Sequence, residues 1–373
     1  MRILFSSNPL YGHVLPLVPL VRAAAGKGHD VAVLSGGEVA SVVGPARLLE
    51  IPPGRRELAD EVARRTGGGS ARTDPTPELA AEQFAGARVD MAADQALSAA
   101  KEFAPELVVS ESVDFVGPLV ASVCGVPWAQ VAVTTQLPEP MQRAMVAAAS
   151  RRYPPRGGSM PDRFMLVDPV PGRMQPPGFA AAADRIQVRT ECPALGGEMV
   201  GWPPLSPAVP APKGRVLVTL GTAASSPELI EGMVTALEQA EAVATIVHGP
   251  GGVPAGFADN HAVHHVGFVS LELLTRGADI VVAAGGLGTI LSTLRHRVPM
   301  VIMPQIADQH WNAARAAELG YAVGVSGPDE VPAAVTRVLG DPAFREAARN
   351  LGDEIAGFPG AEATLDSILA AVA

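Results

Sequence analysis

Two places in this sequence carry residues whose types and spacing could do chemistry. The first is PLYGHVLPLVPL (9–20), which follows the apolar strand candidate RILFSS (2–7). The spacing predicts a helix from about Val14 to Lys27, ended by Gly26 and Gly28, so His13 would stand at its N-terminus. The positive end of a helix disfavours a protonated imidazole. A neutral imidazole can accept a proton near neutral pH, which makes His13 a candidate general base. A later strand end, VVSESVDF (108–115), supplies Glu111 and Asp114. Either could orient the imidazole and stabilise its charged form; at most one would be its direct partner.

The second place is DIVVAAGGLGTIL (279–291), a buried strand running through glycines into a helix. Gly285, Gly286 and Gly288 would let the backbone approach an anion. The amides up to Thr289 lie where a helix N-terminus offers unpaired N–H groups. Two other strand ends look similar in kind. LGTAASS (220–226) sets Thr222 among small residues and hydroxyls, and PQIADQHWN (304–312) sets Asp308 and Gln309 at a helix start. Each alone could be a tight turn, a cap or a helix-terminal charge. Three at successive strand ends favour a site for an anion and hydroxyls. HAVHH (261–265) does not read as a metal site: His261 and His265 would share a strand face, His264 would oppose them, and no carboxylate pattern completes the set. No Asp-x-Asp pair occurs, which removes the usual metal-bridged route to a nucleotide diphosphate. SSNPLYGH holds no G-x-G-x-x-G, and the chain has no G-x-S-x-G.

The elements that must position these residues alternate. DVAVLS (30–35), ELVVSE (106–111) and AQVAVT (129–134) follow the first strand, with helices between them, including an Ala-rich one from Pro77 to Ala104. After a stretch crowded with Pro and Gly (151–213) the rhythm restarts with RVLVTLGT (215–222), ATIVHG (244–249), DIVVAA (279–284), PMVIMP (299–304) and AVGVS (322–326). This predicts two doubly wound α/β domains with ligands outside the carboxyl ends of the strands. The domains are drawn at 1–204 and 215–357, with a Pro-rich linker at 205–214 and a C-terminal helix at 358–373 that could pack back on the first domain. With 373 residues, two domains suit the length, and a hydrophobic content of 48% can fill two cores. Aromatics make up 4%, so Ala, Val and Leu must do most of the packing. The net charge of −10 argues against nucleic acid as a partner. Two cysteines, Cys124 and Cys192, are too few for a disulfide framework. Neither a signal peptide nor an 18-residue apolar run is present, so no membrane partner and a cytoplasmic location are expected.

The long segment ADIVVAAGGLGTILSTLRHRVPMVIMPQIADQHWNAARAAELG, with YGHVLPLVPLVRAAAGKGHDVAVL and VTLGT, resembles the GT-B glycosyltransferases. It is most similar to the bacterial natural-product enzymes related to plant small-molecule glycosyltransferases. The resemblance covers nearly the whole chain. It implies two Rossmann-like domains facing across a cleft, the first binding acceptor and the second a nucleoside diphosphate sugar. His13 matches the general base and Glu111 the acidic relay, with Asp114 three residues on. Phe268 matches the aromatic position that stacks on the base, with Val269 giving backbone contacts. Thr222 and the amides of Gly286, Gly288 and Thr289 would hold the diphosphate, and Asp308 and Gln309 would read sugar hydroxyls. No cofactor or metal is implied beyond the donor substrate.

Two positions depart from the family. A histidine usually precedes the two glycines and donates to the diphosphate; Ala284 stands there, a loss of about 1–3 kcal/mol unless His248, Thr222 or a water compensates. Eight residues later, where enzymes using ribose nucleotides commonly carry Glu, stands Ser292. Deoxyribose lacks the 2′-hydroxyl that such a carboxylate would bind, so Ser292 favours a thymidine diphosphate sugar. The expected activity is inverting, metal-independent transfer of a deoxysugar to a lipophilic acceptor such as a polyketide. The acceptor would lie in an open apolar pocket lined by residues such as Leu10, Phe115, Leu137 and Met141, and a homodimer is compatible with all of this. Three alternatives stay open: a catalytically weak homologue that binds aglycone or assists a partner, a lipid-linked or cell-wall transferase, and a non-hydrolysing epimerase.

Overall fold

Most of the apolar runs become strands buried on both faces, as a parallel sheet covered by helices requires. In the computed structural model, residues 1–189, 191, 202, 214–221, 227–239, 243–249, 252–259 and 263–372 are described. They divide into two units, Met1–Glu191 with Phe358–Ala373, and Cys192–Gly357. The linker drawn at 205–214 falls, apart from Gly214, outside the described residues.

In the first unit the strands are β1 (Arg2–Ser6), β2 (Asp30–Ser35), β3 (Arg47–Glu50), β4 (Leu107–Glu111), β5 (Trp128–Val131), β6 (Met165–Asp168) and β7 (Arg185–Gln187). All pairings are parallel and the order is β3-β2-β1-β4-β5-β6-β7. The order reverses between β1 and β4, so the loops leaving those two strands diverge and open the switch point. The register Ser6↔Ser110 sets the end of β1 beside the end of β4. That one pairing brings the sequence near His13 to the sequence near Glu111.

The helix read from Val14 to Lys27 is instead two pieces, α1 (Tyr11–Val14) and α2 (Val18–Gly26). Pro16 and Pro19 are the cause: neither has an N–H to continue the ladder, and Pro19 fits only the first turn of a new helix. His13 therefore lies in a single helical turn, not at the head of a long helix. The dipole argument for a neutral imidazole loses its basis there, because one turn sums few peptide dipoles. The Ala-rich segment is α3 (Pro77–Ala81), a π-helical turn (Glu82–Ala87) and α4 (Arg88–Phe103). Ala85, Ala92, Ala93, Ala96 and Ala100 are fully buried there, together with Leu4 and Val108 of the sheet. Small side chains let this helix lie close to the strands. The helix α5 (Val116–Cys124) follows β4 despite Pro118, which lies in its first turn and needs no hydrogen-bonded N–H.

The C-terminal helix, Ala361–Ala370, belongs to this unit. Leu365 and Ile368 are fully buried. Each such side chain is worth about 1.5–3 kcal/mol relative to exposure. Lys27 and Asp366 form an ion pair at the rim, and Arg189 N–H donates to the Pro359 carbonyl at 2.7 Å.

In the second unit the strands are β8 (Arg215–Thr219), β9 (Val243–Val247), β10 (Val263–Val266), β11 (Ile280–Ala283), β12 (Met300–Ile302) and β13 (Ala322–Gly324). They are parallel in the order β10-β9-β8-β11-β12-β13. The reversal now falls between β8 and β11, with Thr219↔Ala283 in register. The loop that begins at Leu220 and the glycine turn after Ala283 are thus neighbours at the second switch point. The helices α6 (Leu287–Arg295) and α7 (Gln309–Glu318) follow β11 and β12.

Candidate functional site

At the first switch point His13 Nδ1 lies 2.8 Å from Glu111 Oε1. The imidazole is 19% exposed and the carboxylate fully buried. Glu111 also accepts from the Asn8 side-chain amide at 2.6 Å and from Val113 N–H at 2.6 Å. Burial alone would raise its carboxyl; the His13 imidazole, the Val113 N–H and the Asn8 amide overcome that and hold it below the usual range. An ionised carboxylate only accepts, so the neutral imidazole carries its proton on Nδ1 and its basic lone pair on Nε2. The Phe84 ring, carried by the π-helical turn, stacks on His13 with centroids 5.9 Å apart and planes at 30°.

Of the two carboxylates, Glu111 is the one joined to the imidazole. Asp114 accepts from the Ser6 hydroxyl at 2.6 Å, Val116 N–H at 3.1 Å and Gly117 N–H at 2.9 Å, which caps α5 and ties it to β1. Burial first, and the neighbouring Glu111 charge second, raise its carboxyl above the ordinary value. Gly117 is glycine for packing: a Cβ would come within 2.6 Å of Ser110 Cβ and 2.9 Å of Ser6 Cβ.

The four apolar residues expected to line the acceptor pocket separate. Phe115 and Met141 are buried in the core of the unit, Leu137 packs half-buried against it, and Leu10 stays half-buried before α1. Phe115 and Met141 are 6% and 5% exposed.

At the second switch point Gly285 has φ +89, and a Cβ there would meet Ile302 Cγ2 at 2.7 Å. Only glycine fits. Gly286 is the N-cap of α6, and a Cβ on Gly286 or Gly288 would meet nothing within 4 Å. Packing among the described residues therefore does not require glycine at either position. Thr289 is half-buried in the first turn. Asn312 ties the next helix to this turn, donating to the Gly285 carbonyl at 3.0 Å and to Asp308 Oδ2 at 3.1 Å. Gln309 Oε1 accepts from the N–H groups of Gln305 and Ile306 at 2.9 and 3.0 Å, which folds the loop before α7. Asp308 is the N-cap residue of α7. Phe268 and Val269 follow β10 and are half-buried, while Ala284 is 3% exposed and Ser292 is buried in α6. Thr222 and His261 lie outside the described residues.

Two histidines of the second unit pair with each other. His248, at the end of β9, lies 2.9 Å through Nε2 from His265 Nδ1, with the Phe257 ring 6.1 and 5.5 Å from the two imidazoles. His264 pairs with Asp259 at 3.4 Å. Among the described residues no group of His, Cys, Asp or Glu is placed to hold a metal ion. Burial pushes His248 and His265 below the ordinary 6.5, with His265 lowering His248 further and Asp259 partly restoring His265. A depressed histidine contributes fully above its unfolded value and loses its contribution as pH falls through the folded value. We expect the melting temperature to fall more between pH 7 and pH 5 in the wild type than in the double variant His248→Gln, His265→Gln. Equal slopes in a thermal melt series would remove the pair from the acid response.

Asn8, Phe84 and Arg88 escape the sequence. Asn8 was within reach, as the polar residue directly after β1. Phe84 is delivered by the extra residue of a π turn, which leaves no mark on a helical periodicity.

The model of the erythromycin biosynthesis protein CIII-like N-terminal domain matches residues 22–221, and that of the corresponding C-terminal domain matches residues 233–369. The chain belongs to this family of glycosyltransferases. The elloramycin glycosyltransferase ElmGT of Streptomyces olivaceus is 26% identical, over 96% of this chain and 94% of that protein. The crystal structure of the glycosyltransferase SnogD from Streptomyces nogalater superposes with a TM-score of 0.80 at 25% identity, covering 99% of both chains. That of the Streptomyces sp. SF2575 glycosyltransferase SsfS6, complexed with thymidine diphosphate, gives a TM-score of 0.82 at 24% identity over 99% of both chains. The two parallel Rossmann-like sheets are those of the GT-B fold, and the chain is a glycosyltransferase of an antibiotic-biosynthesis family. No described helix is long and apolar enough to cross a membrane.

Proposed function

We propose that this glycosyltransferase moves a deoxysugar from thymidine diphosphate to a hydroxyl of a lipophilic natural product, with inversion and without a metal. The observation that carries the reading is His13, held through Nδ1 by a buried, ionised Glu111. His13 Nε2 takes the acceptor proton as the hydroxyl oxygen bonds to the anomeric carbon and the carbon–oxygen bond to the diphosphate breaks. Attack from the face opposite the leaving group inverts the centre. Glu111 stabilises the imidazolium that forms. The first unit holds the acceptor, with the Phe84 ring beside the base.

The second unit holds the donor. The α6 amides at Gly286, Gly288 and Thr289 receive the diphosphate as its charge grows, and preorganised N–H groups are suited to that task. Phe268 stacks on the base with Val269 beside it, Thr222 adds a hydroxyl, and Asp308 reads the sugar. Gln309 contributes its side-chain NH2, since its oxygen already holds the Gln305 and Ile306 amides. Ser292 in place of a carboxylate favours a base carried on deoxyribose. SsfS6, of the same fold, was solved with thymidine diphosphate.

The test is calorimetric titration in EDTA with thymidine and uridine diphosphates separately. We expect micromolar binding of the thymidine nucleotide, at least about tenfold tighter than the uridine one, a difference of about 1.4 kcal/mol. Binding of neither would favour a homologue that has lost its donor site, for which Ala284 is the sign. Dependence on added Mg²⁺ would overturn the metal-free part of the reading.

A further inference from the structure

The ring stacked on His13 is carried by a turn that the fold keeps at a cost. The chain from Pro77 to Phe103 is helical throughout, but at Glu82–Ala87 the helix widens into a π turn. Such turns are rare and recur at functional sites. This one contains Gly86, buried inside the helix, where glycine is less stable than alanine. The atoms nearest to a Cβ added at Gly86 all belong to Glu82: Oε2 at 2.5 Å, Cδ at 2.7 Å and Oε1 at 2.8 Å. The glycine reserves the place of the Glu82 carboxylate on the same turn.

From that place the carboxylate reaches two other helices. Glu82 Oε1 accepts from Arg65 Nη1 at 2.9 Å, at the end of the helix Arg55–Thr66. Glu82 Oε2 lies 3.8 Å from Arg152 Nη2, at the end of the helix Glu139–Arg152. Asp90, early in α4, binds the same two arginines: its Oδ2 accepts from Arg65 Nη1 at 2.8 Å and from Arg152 Nε at 3.0 Å. Glu61 accepts from Arg65 Nε at 2.6 Å. Single ion pairs near a surface add little to stability. Two arginines shared by two carboxylates fix geometry instead, and here they pin the π turn to its neighbours. On that turn stands Phe84, half-buried, its ring 5.9 Å from His13 between centroids and tilted by 30°. Glu111 holds the imidazole at one edge, through Nδ1. One hydrogen bond fixes an atom and leaves the plane free to turn about it. The lone pair on Nε2 lies in that plane. A second ring stacked on the face restrains the turning, and so sets the direction in which Nε2 meets a proton.

We propose that Phe84 is a positioning residue of this glycosyltransferase: its ring, set by the Glu82 clamp on the π turn, fixes the plane of the His13 imidazole and the line along which Nε2 takes the acceptor proton. The inference rests on His13 being the base. Its first test does not, because it is read on the imidazole in the absence of donor and acceptor.

The experiment is a proton–carbon NMR correlation spectrum of the histidine rings in the whole protein, with His13 assigned by its loss in His13→Gln. Protons over an aromatic face are shielded, so in Phe84→Leu the His13 ring signals are expected to move downfield. Phe84→Tyr, which keeps a ring, brings them back toward the wild-type position. Glu82→Ala keeps the ring and removes the clamp, and it is expected to move the same signals the same way. Should Glu82→Ala fail to fold, Gly86→Ala replaces it: the added methyl displaces the carboxylate, and alanine suits a helix interior. Turnover carries the functional half. In Phe84→Leu and Glu82→Ala, kcat for transfer is expected to fall about tenfold while thymidine diphosphate affinity stays within about twofold. In a His13→Ala background Phe84→Leu is expected to lower the residual rate no further, because a residue that acts through the base has nothing left to position. His13 signals that stay in place when the clamp is removed overturn the proposal, as does a Phe84→Leu loss that persists in full without His13. Normal turnover of His13→Ala alone removes the base instead, a separate failure that leaves the spectra unchanged.

Discussion

His13→Ala is expected to lower kcat for glycosyl transfer by about 10²–10⁴-fold, the range of a positioned general base. Affinity for thymidine diphosphate is expected to stay within about twofold of the wild type, because the donor groups belong to the other sheet. The melting temperature is expected to change little, since the imidazole is partly exposed and its loss leaves Glu111 with the Asn8 and Val113 donors. Glu111→Gln sharpens the result. The amide is nearly the same shape, yet it removes the charge that stabilises the imidazolium. It can also donate to Nδ1 and so move the imidazole proton to Nε2, the tautomer that cannot accept from the acceptor. A drop of about 10²-fold or more is expected there. In the wild type the rate should fall on acidification as the imidazolium forms before substrate binds. Near-normal turnover of His13→Ala, with the acceptor saturating, would remove His13 from the mechanism.

The sequence made the strands legible for a plain reason. Parallel strands covered on both faces must be continuously apolar, and DVAVLS, ELVVSE and DIVVAA could be little else. The short strands Met165–Asp168 and Arg185–Gln187 were hidden because a Pro- and Gly-rich context surrounds them and each spans four residues or fewer. The first helix was misjudged at Pro16 and Pro19, where apolar periodicity continued through a break in the hydrogen-bond ladder. The pairing of His13 with Glu111 was legible only as far as two strand ends could be expected to meet. That β1 lies directly against β4 is a property of sheet order, which no local pattern encodes. Arg88 was the least visible of all. An arginine in AGARVDMAA reads as a solvated helix face, and its burial follows from the π turn that rotates it inward.

The glycine turn gives the second large effect, and it separates what the fold needs from what the ligand needs. Gly285→Ala puts a methyl 2.7 Å from Ile302 Cγ2 on a backbone with φ +89. Strain and overlap together should cost about 1–3 kcal/mol of stability, with loss of donor binding as the turn shifts. Gly288→Ala is the opposite case. Its Cβ would meet nothing within 4 Å among the described residues, and alanine in a helix is favoured over glycine by about 0.5–1 kcal/mol. The variant should therefore melt at or slightly above the wild-type temperature. If the diphosphate comes against the backbone at the start of α6, that same methyl should weaken thymidine diphosphate binding by about tenfold or more, one lost close contact being worth about 1.4 kcal/mol. Unchanged binding in Gly288→Ala would mean that the diphosphate does not approach α6 at this residue. Stability and affinity that move in opposite directions from a single added methyl are what a ligand-shaped glycine predicts, and a glycine kept only for the turn would move both together.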